Sequence, residues 1–247
     1  MMIQVIGVTM VFKEPNSNSE INALRGIDFV VEKGDLVGII GPSGAGKTTL
    51  LSIIGGLLDP TSGEILINGI SIPDLSGKEL AIFRRENIGY LWQLPKDNLI
   101  SGISLLKNVM LPLQIANKPR EEQITRSNEL LDRLGLVHRK NHLPNQVSGG
   151  EAQRAAVAVA LANNPAVLLG DQITGELDTK NSVEVINHLK ELKDELGTTM
   201  VIATHRKEFI QSTDYSLILN DGKIAEVVSN QQIPPIVKEE TKKEKVK

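Results

Sequence analysis

The chain has 247 residues, of which 40% are hydrophobic, a formal net charge of -3 and no cysteine. That length and apolar content suit one large α/β domain or two small ones with a real core. The missing cysteine excludes disulfides, thiolate metal sites and a cysteine nucleophile, and the slightly acidic balance argues against nucleic acid held on a broad basic face.

The opening MMIQVIGVTMVF lacks the positive stretch and small-residue cleavage site of a secretory leader, and it reads as an edge strand. ALRGIDFVVEKGDLVGII supplies two strands joined by a turn at Lys33-Gly34, and GEILINGISI a further pair around Asn68-Gly69. From Gln93 to about Asn164 helical stretches such as REEQITRSNELLDRLGL and GGEAQRAAVAVALA take over, which predicts an inserted helical subdomain. Strands return at AVLLGD (166–171), TMVIAT (199–204) and YSLIL (215–219), accompanied by the amphipathic helix NSVEVINHLKELKDEL. The alternation predicts a mostly parallel sheet flanked by helices. The apolar run AAVAVALA (155–162) is far shorter than the ~20 residues needed to span a bilayer, so a cytoplasmic location is expected. Residues 232–247 carry two prolines and then mixed charge, the composition of a disordered tail.

In LVGIIGPSGAGKTTLLSIIGG an apolar strand runs through Gly41, Pro42, Ser43, Gly44, Ala45, Gly46, Lys47 and Thr48 directly into a helical pattern, the setting a phosphate loop requires. Glycines let successive backbone N–H groups point at one anion, and the helix N-terminus adds partial positive charge. Lys47 would neutralise β- and γ-phosphate oxygens, the Thr48 hydroxyl would ligate Mg²⁺, and Thr49 would brace a phosphate. Asp171, ending the apolar strand VLLGD, fits the acid that holds the magnesium; a loop aspartate capping the next segment is the other reading.

Val147-Ser148-Gly149-Gly150-Glu151-Ala152-Gln153-Arg154 precedes that acid strand. Ser148 with Glu151 three residues later is a capping box, opening a helix whose two glycines leave N–H groups accessible to an anion. Alone it reads equally as a well-capped helix. Followed by the acid strand, it resembles the LSGGQ signature of the ATP-binding cassette (ABC) family. The resemblance covers about residues 2 to 228. It implies a P-loop NTPase (RecA-like) core with an N-terminal antiparallel β subdomain and an inserted helical signature subdomain. The ATP-binding domain would span 1–231, with the helical subdomain at about 93–164 and a charged tail at 232–247. It also implies ATP and Mg²⁺ as ligands, and a head-to-tail dimer in which Ser148, Gly149, Gly150 and Glu151 meet the γ-phosphate of ATP held by a second copy or a related cassette subunit.

Further positions match the family's pattern in order. Gln93, in NIGYLWQLP, corresponds to the glutamine that reaches the metal and the attacking water, with a polar loop residue as the other reading. Asp178, in TGELD, corresponds to the acid that communicates across the dimer. His205, ending TMVIATH, corresponds to the histidine that touches the γ-phosphate, and Phe12 to the aromatic that stacks on adenine, for which core packing competes. GGLLDPTSGEILING and the motif spacing look most like the lipoprotein-release and macrolide-export branch. In that branch the cassette drives a separate membrane permease, which implies a peripheral place on the inner face of the cell membrane. PKDNLISGISLLKNVMLP, where the family receives the permease's coupling helix, reads equally as a docking groove or ordinary core.

One position departs from the pattern. The family has Glu-Pro after the strand acid, and this chain has Gln172-Ile173. A positioned base is worth about 10²–10⁴-fold in rate; Gln172 can hydrogen-bond the water but cannot take its proton. ATP binding is therefore expected with slow hydrolysis. The paired change to Ile173 favours natural divergence over a laboratory substitution. Phosphate oxygens or His205 taking the proton, and a partner subunit with an intact base, are the other accounts of Gln172. The sequence reads as the nucleotide-binding subunit of a cassette transporter. A non-transporting ATP-dependent clamp is the alternative, and a soluble kinase is disfavoured by the signature stretch.

Overall fold

A computed structural model describes residues 1–13, 19–173, 175 and 179–229, and two sheets organise them. The first is antiparallel: β1 (Ile3–Lys13), β2 (Glu20–Val31), β4 (Ser62–Ile67) and β5 (Ile70–Ser71), in the order β2-β1-β4-β5. The N-terminal strand thus lies between two neighbours and is not the edge strand its sequence suggested. Ile3 and Val5, then Val8 and Met10 after a register shift between Val5 and Val8, enter the core, a pattern that fixes which face is buried but says nothing of how many partners the strand has.

The second sheet holds β3 (Leu36–Ile40), β6 (Ile88–Leu91), β7 (Val167–Asp171), β8 (Thr199–Thr204), β9 (Tyr215–Asn220) and β10 (Lys223–Ser229), in the order β10-β9-β3-β8-β7-β6. All neighbours pair in parallel except the edge pair β9 and β10. Every residue of β3, β7 and β8 is buried, as expected for parallel strands covered on both faces. The turn at Lys33-Gly34 consequently joins strands of two different sheets and does not close a hairpin.

Seven helices cover this frame among the described residues: α1 (Lys47–Ile54), α2 (Gly77–Asn87), α3 (Pro95–Asn98), α4 (Leu105–Ile115), α5 (Arg120–Arg133), α6 (Gly149–Ala160) and α7 (Thr179–Leu196). Four of them, α3 to α6, lie in sequence between β6 and β7. Two apolar clusters result. Leu169 and Val37 pack with α1 residues Leu50 and Ile54 and with the antiparallel sheet, whereas Leu168 packs with Leu113, Leu130, Ala156 and Leu189. Adjacent strand residues face opposite sides, so β7 carries both clusters. In the 95–112 stretch Leu99, Leu105, Val109 and Met110 are buried and belong to the core, whereas Ile100 is exposed and Ile103, Leu106 and Leu111 are half-buried. No described helix is long and apolar enough to cross a membrane. The 232–247 tail lies outside the described residues.

Candidate functional site

The loops that leave β3, β6, β7 and β8 emerge at the carboxyl ends of neighbouring parallel strands, the usual place for a ligand in such sheets. The loop after β3 leads into α1, whose N-cap is Gly46 at φ 100° with no capping side chain. The first-turn N–H groups therefore remain available to an anion. A Cβ on Gly46 would stand 2.5 Å from Ala23 O, and one on Gly41 would stand 2.1 Å from Leu219 O. Only glycine lets the loop pack this closely.

Lys47 is buried and donates from Nζ to Gly41 O at 2.8 Å and Pro42 O at 2.7 Å. An ammonium has three donors, so one remains. Burial holds the Lys47 pKa below its ordinary value, partly offset by the Asp171 charge. Thr48 Oγ1 donates to Asp171 Oδ2 at 2.7 Å, which turns the hydroxyl lone pairs outward. The other carboxylate oxygen, Asp171 Oδ1, is buried without a hydrogen-bond partner among the described residues. Burial raises the Asp171 pKa, and Thr48 and Lys47 oppose the shift. A buried acceptor left open beside a hydroxyl oxygen is a donor set suited to a hard divalent cation, and these residues fit magnesium.

Immediately after Asp171, Gln172 adopts φ 49°, its N–H donating to Ala203 O of β8 at 2.8 Å. Its side-chain Oε1 is 3.3 Å from His205 Nδ1. An amide oxygen only accepts, so the imidazole proton of this contact sits on Nδ1. Gln93 is exposed, and its Nε2 lies 3.9 Å from where a Cβ on Gly175 would stand. The loops after β6, β7 and β8 thus meet. Asp178 lies outside the described residues.

A cleft of about 490 Å³ opens over the loop and is lined by Ser43, Gly44, Lys47, Thr48, Thr49 and Gln172, and by Ile21, Arg25 and Asp221. Phe12 is 39% exposed but does not line it; its register partner Ile21 does. The Arg25–Asp221 ion pair at 3.1 Å was not signalled by any local motif, because it joins β2 to the turn between β9 and β10.

Ser148 caps α6, accepting from Glu151 N at 3.2 Å, while Glu151 Oε2 accepts from Ser148 N at 2.8 Å. Glu151 also pairs with Arg139 at 2.9 Å. These residues do not line the cleft around Lys47; Gly149 borders a different groove with Leu94, Pro95 and Pro144. The Ser148 N–H, with Arg139 contributing, pulls the Glu151 pKa down to about 2 despite its burial. A folded-state pKa below the ordinary 4.5 gives stabilisation that is complete above 4.5 and lost as pH falls toward 2. Amide protection in the first turn of α6 should accordingly be the same at neutral pH and at pH ~5 and decline below ~4.5. Hydrogen exchange on the parent and Glu151→Gln tests this, and an identical acid dependence in the two would sink it.

The sequence pattern of the family described as ABC transporter matches residues 24–175, which contain both the phosphate loop and the capped helix. The chain belongs to the ABC transporter family. It is 42% identical over 223 residues to the lipoprotein-releasing system ATP-binding protein LolD of Bacteroides thetaiotaomicron, covering 90% of this chain and 99% of that protein. It is 39% identical over 229 residues to the macrolide export ATP-binding/permease protein MacB of Rhodopirellula baltica, covering 92% of this chain and 33% of that one. Among solved structures, the dimeric bacterial ABC transporter cassette MJ0796 superposes with a TM-score of 0.85 at 38% identity, over 94% of this chain and 100% of that one. This ABC chain is a nucleotide-binding subunit of the lipoprotein-release and macrolide-export branch.

Proposed function

We propose that this ABC subunit binds Mg·ATP at the Lys47 loop, closes head-to-tail on a second cassette and hydrolyses ATP slowly while driving a separate membrane permease. The observation that carries the reading is the pairing of Thr48 Oγ1 with Asp171 Oδ2 beside the open Asp171 Oδ1. Lys47 and the uncapped α1 amides bind the phosphates, and Thr48 and Asp171 hold the cation. Bound there, magnesium would offset phosphate charge. Gln93, Gln172 and His205 orient the attacking water and the γ-phosphate. In the reaction, water oxygen bonds to the γ-phosphorus, the bond to the β-phosphate oxygen breaks with its electrons leaving on ADP, and the water proton passes to an oxygen of the phosphate released. Gln172 accepts a hydrogen bond from that water without taking the proton.

The signature residues Ser148 to Glu151 stand apart from their own chain's cleft, which supports phosphate contact in a second copy. Similarity to the ATP-binding protein of a lipoprotein-releasing system supports a place on the cytoplasmic face through its permease. Gln172 favours a second arrangement, a heterodimer in which a related subunit supplies the intact base. Sedimentation tests the dimer: saturating Mg·ATP should double the 26.9 kDa mass, and Ser148→Arg should stay monomeric while still binding ATP. A parent protein that remains monomeric overturns the homodimer and leaves the heterodimer.

A further inference from the structure

Tyr90 of β6 stands in parallel register with Leu169 of β7. Register partners point to the same side of a sheet, and residues two apart on a strand share a face. Tyr90, Leu169 and Asp171 therefore line one face, the one packed on α1. The end of α1 closes it: a Cβ on Gly55 would lie 3.2 Å from Leu169 Cδ1 and 3.4 Å from Tyr90 Cδ2. On α1, Thr48 and Ser52 are one turn apart, so the hydroxyl that bonds Asp171 and a second hydroxyl lie on the same stripe.

Two buried oxygens on this face have no hydrogen-bond partner among the described residues, Tyr90 Oη and Asp171 Oδ1. Two orphaned polar atoms on one packed face are uncommon in a folded protein, where water usually satisfies such groups. Burial pushes the Tyr90 phenol up to about 12, the approaching Ser52 hydroxyl opposing and the Asp171 charge adding. The phenol is then a proton donor at neutral pH, and the open carboxylate oxygen is an acceptor. Just past the end of β6 at Leu91 comes Trp92, whose ring packs on Tyr90 with centroids 4.3 Å apart and planes tilted 38°. Trp92 is 40% exposed and immediately precedes Gln93.

We propose that Tyr90 is a positioning residue for the magnesium site: its hydroxyl, with Ser52 and through water, supports Asp171 from the open side and ties that carboxylate to the strand leading into Gln93. The proposal rests on the reading of Thr48 and Asp171 as metal holders. Groups behind a metal ligand orient it, and removing one typically lowers metal affinity about 10–100-fold. A polar group reached through water belongs at the lower end of that range.

The test is equilibrium binding of radiolabelled ATP to the full chain as magnesium is varied, and again in EDTA, for the parent, Tyr90→Phe and Ser52→Ala. Tyr90→Phe keeps the ring on Trp92 and removes one oxygen. It is expected to raise the half-saturating magnesium concentration about ten-fold and to leave ATP binding in EDTA within two-fold of the parent. Ser52→Ala should shift it in the same direction. An unchanged magnesium dependence in Tyr90→Phe overturns the proposal, as does equal weakening with and without magnesium, the mark of a packing residue. A parent protein whose ATP binding ignores magnesium overturns the metal reading itself, a result distinguishable because it appears before any substitution.

Discussion

Phosphate release from Mg·ATP is expected to rise by about 10²–10⁴-fold when Gln172 is replaced by glutamate. The side chain is already aimed: Gln172 is anchored by its N–H to Ala203 O, its carbonyl accepts from Gly175 N at 2.8 Å, and its Oε1 meets His205 Nδ1. A carboxylate in the same position would keep the His205 contact and add the ability to accept the proton of attacking water. The strain of a non-glycine residue at φ 49° is already present in the parent, so the substitution changes chemistry without changing the backbone. Ile173 is buried in the cluster on the helical side, and a Cβ on Gly170 would lie 3.0 Å from its Cγ2. The core therefore accommodates the residue that stands where the family has proline. Equal rates for the parent and Gln172→Glu, both above a phosphate-loop blank, would mean that the proton leaves by another route and that turnover is not limited by a missing base.

The blank is Lys47→Ala, for which a loss of about 10²–10³-fold in hydrolysis is expected from removing one preorganised charge aimed at the phosphates, with ATP binding weakened as well. The ammonium is held by Gly41 O and Pro42 O, so truncation removes both the charge and two bonds that shape the loop. It also leaves Asp171 without the cation that opposes its burial, which should push that carboxyl pKa further upward and weaken its hold on a metal. Nucleotide binding by filter retention and phosphate release are the measurements. Retention of full hydrolysis by Lys47→Ala would show that the activity does not belong to this loop.

The departure at position 172 was legible from the sequence because Gln172 directly follows Asp171 at the end of an apolar run, where the family's pattern has a glutamate. Its contact with His205 was not, because 33 residues separate the two and only the parallel pairing of β7 with β8 brings them together. The same contrast holds along the fold. The spacing of apolar residues in the opening segment marked a strand, yet its neighbours were set by long-range pairing with β2 and β4. Local chemistry marked a turn at Lys33-Gly34 between two strands but not which sheet each strand joins. Burial of β3 on both faces of the parallel sheet draws it away from β2.

What the sequence determined by itself is whatever depends on neighbours a few residues apart: the glycine-rich loop between an apolar strand and α1, the Ser148–Glu151 cap, the acid that ends β7, and the amide beside it. Backbone N–H direction, capping and strand periodicity are local physics, so local order suffices to read them. Tertiary structure alone decided which strands are adjacent, that the loops after β6, β7 and β8 converge, that Arg25 pairs with Asp221 at the rim of the cleft, and that Tyr90 faces the same side as Asp171. Those contacts depend on how the apolar faces of distant segments are buried together, and no short window of sequence contains that information.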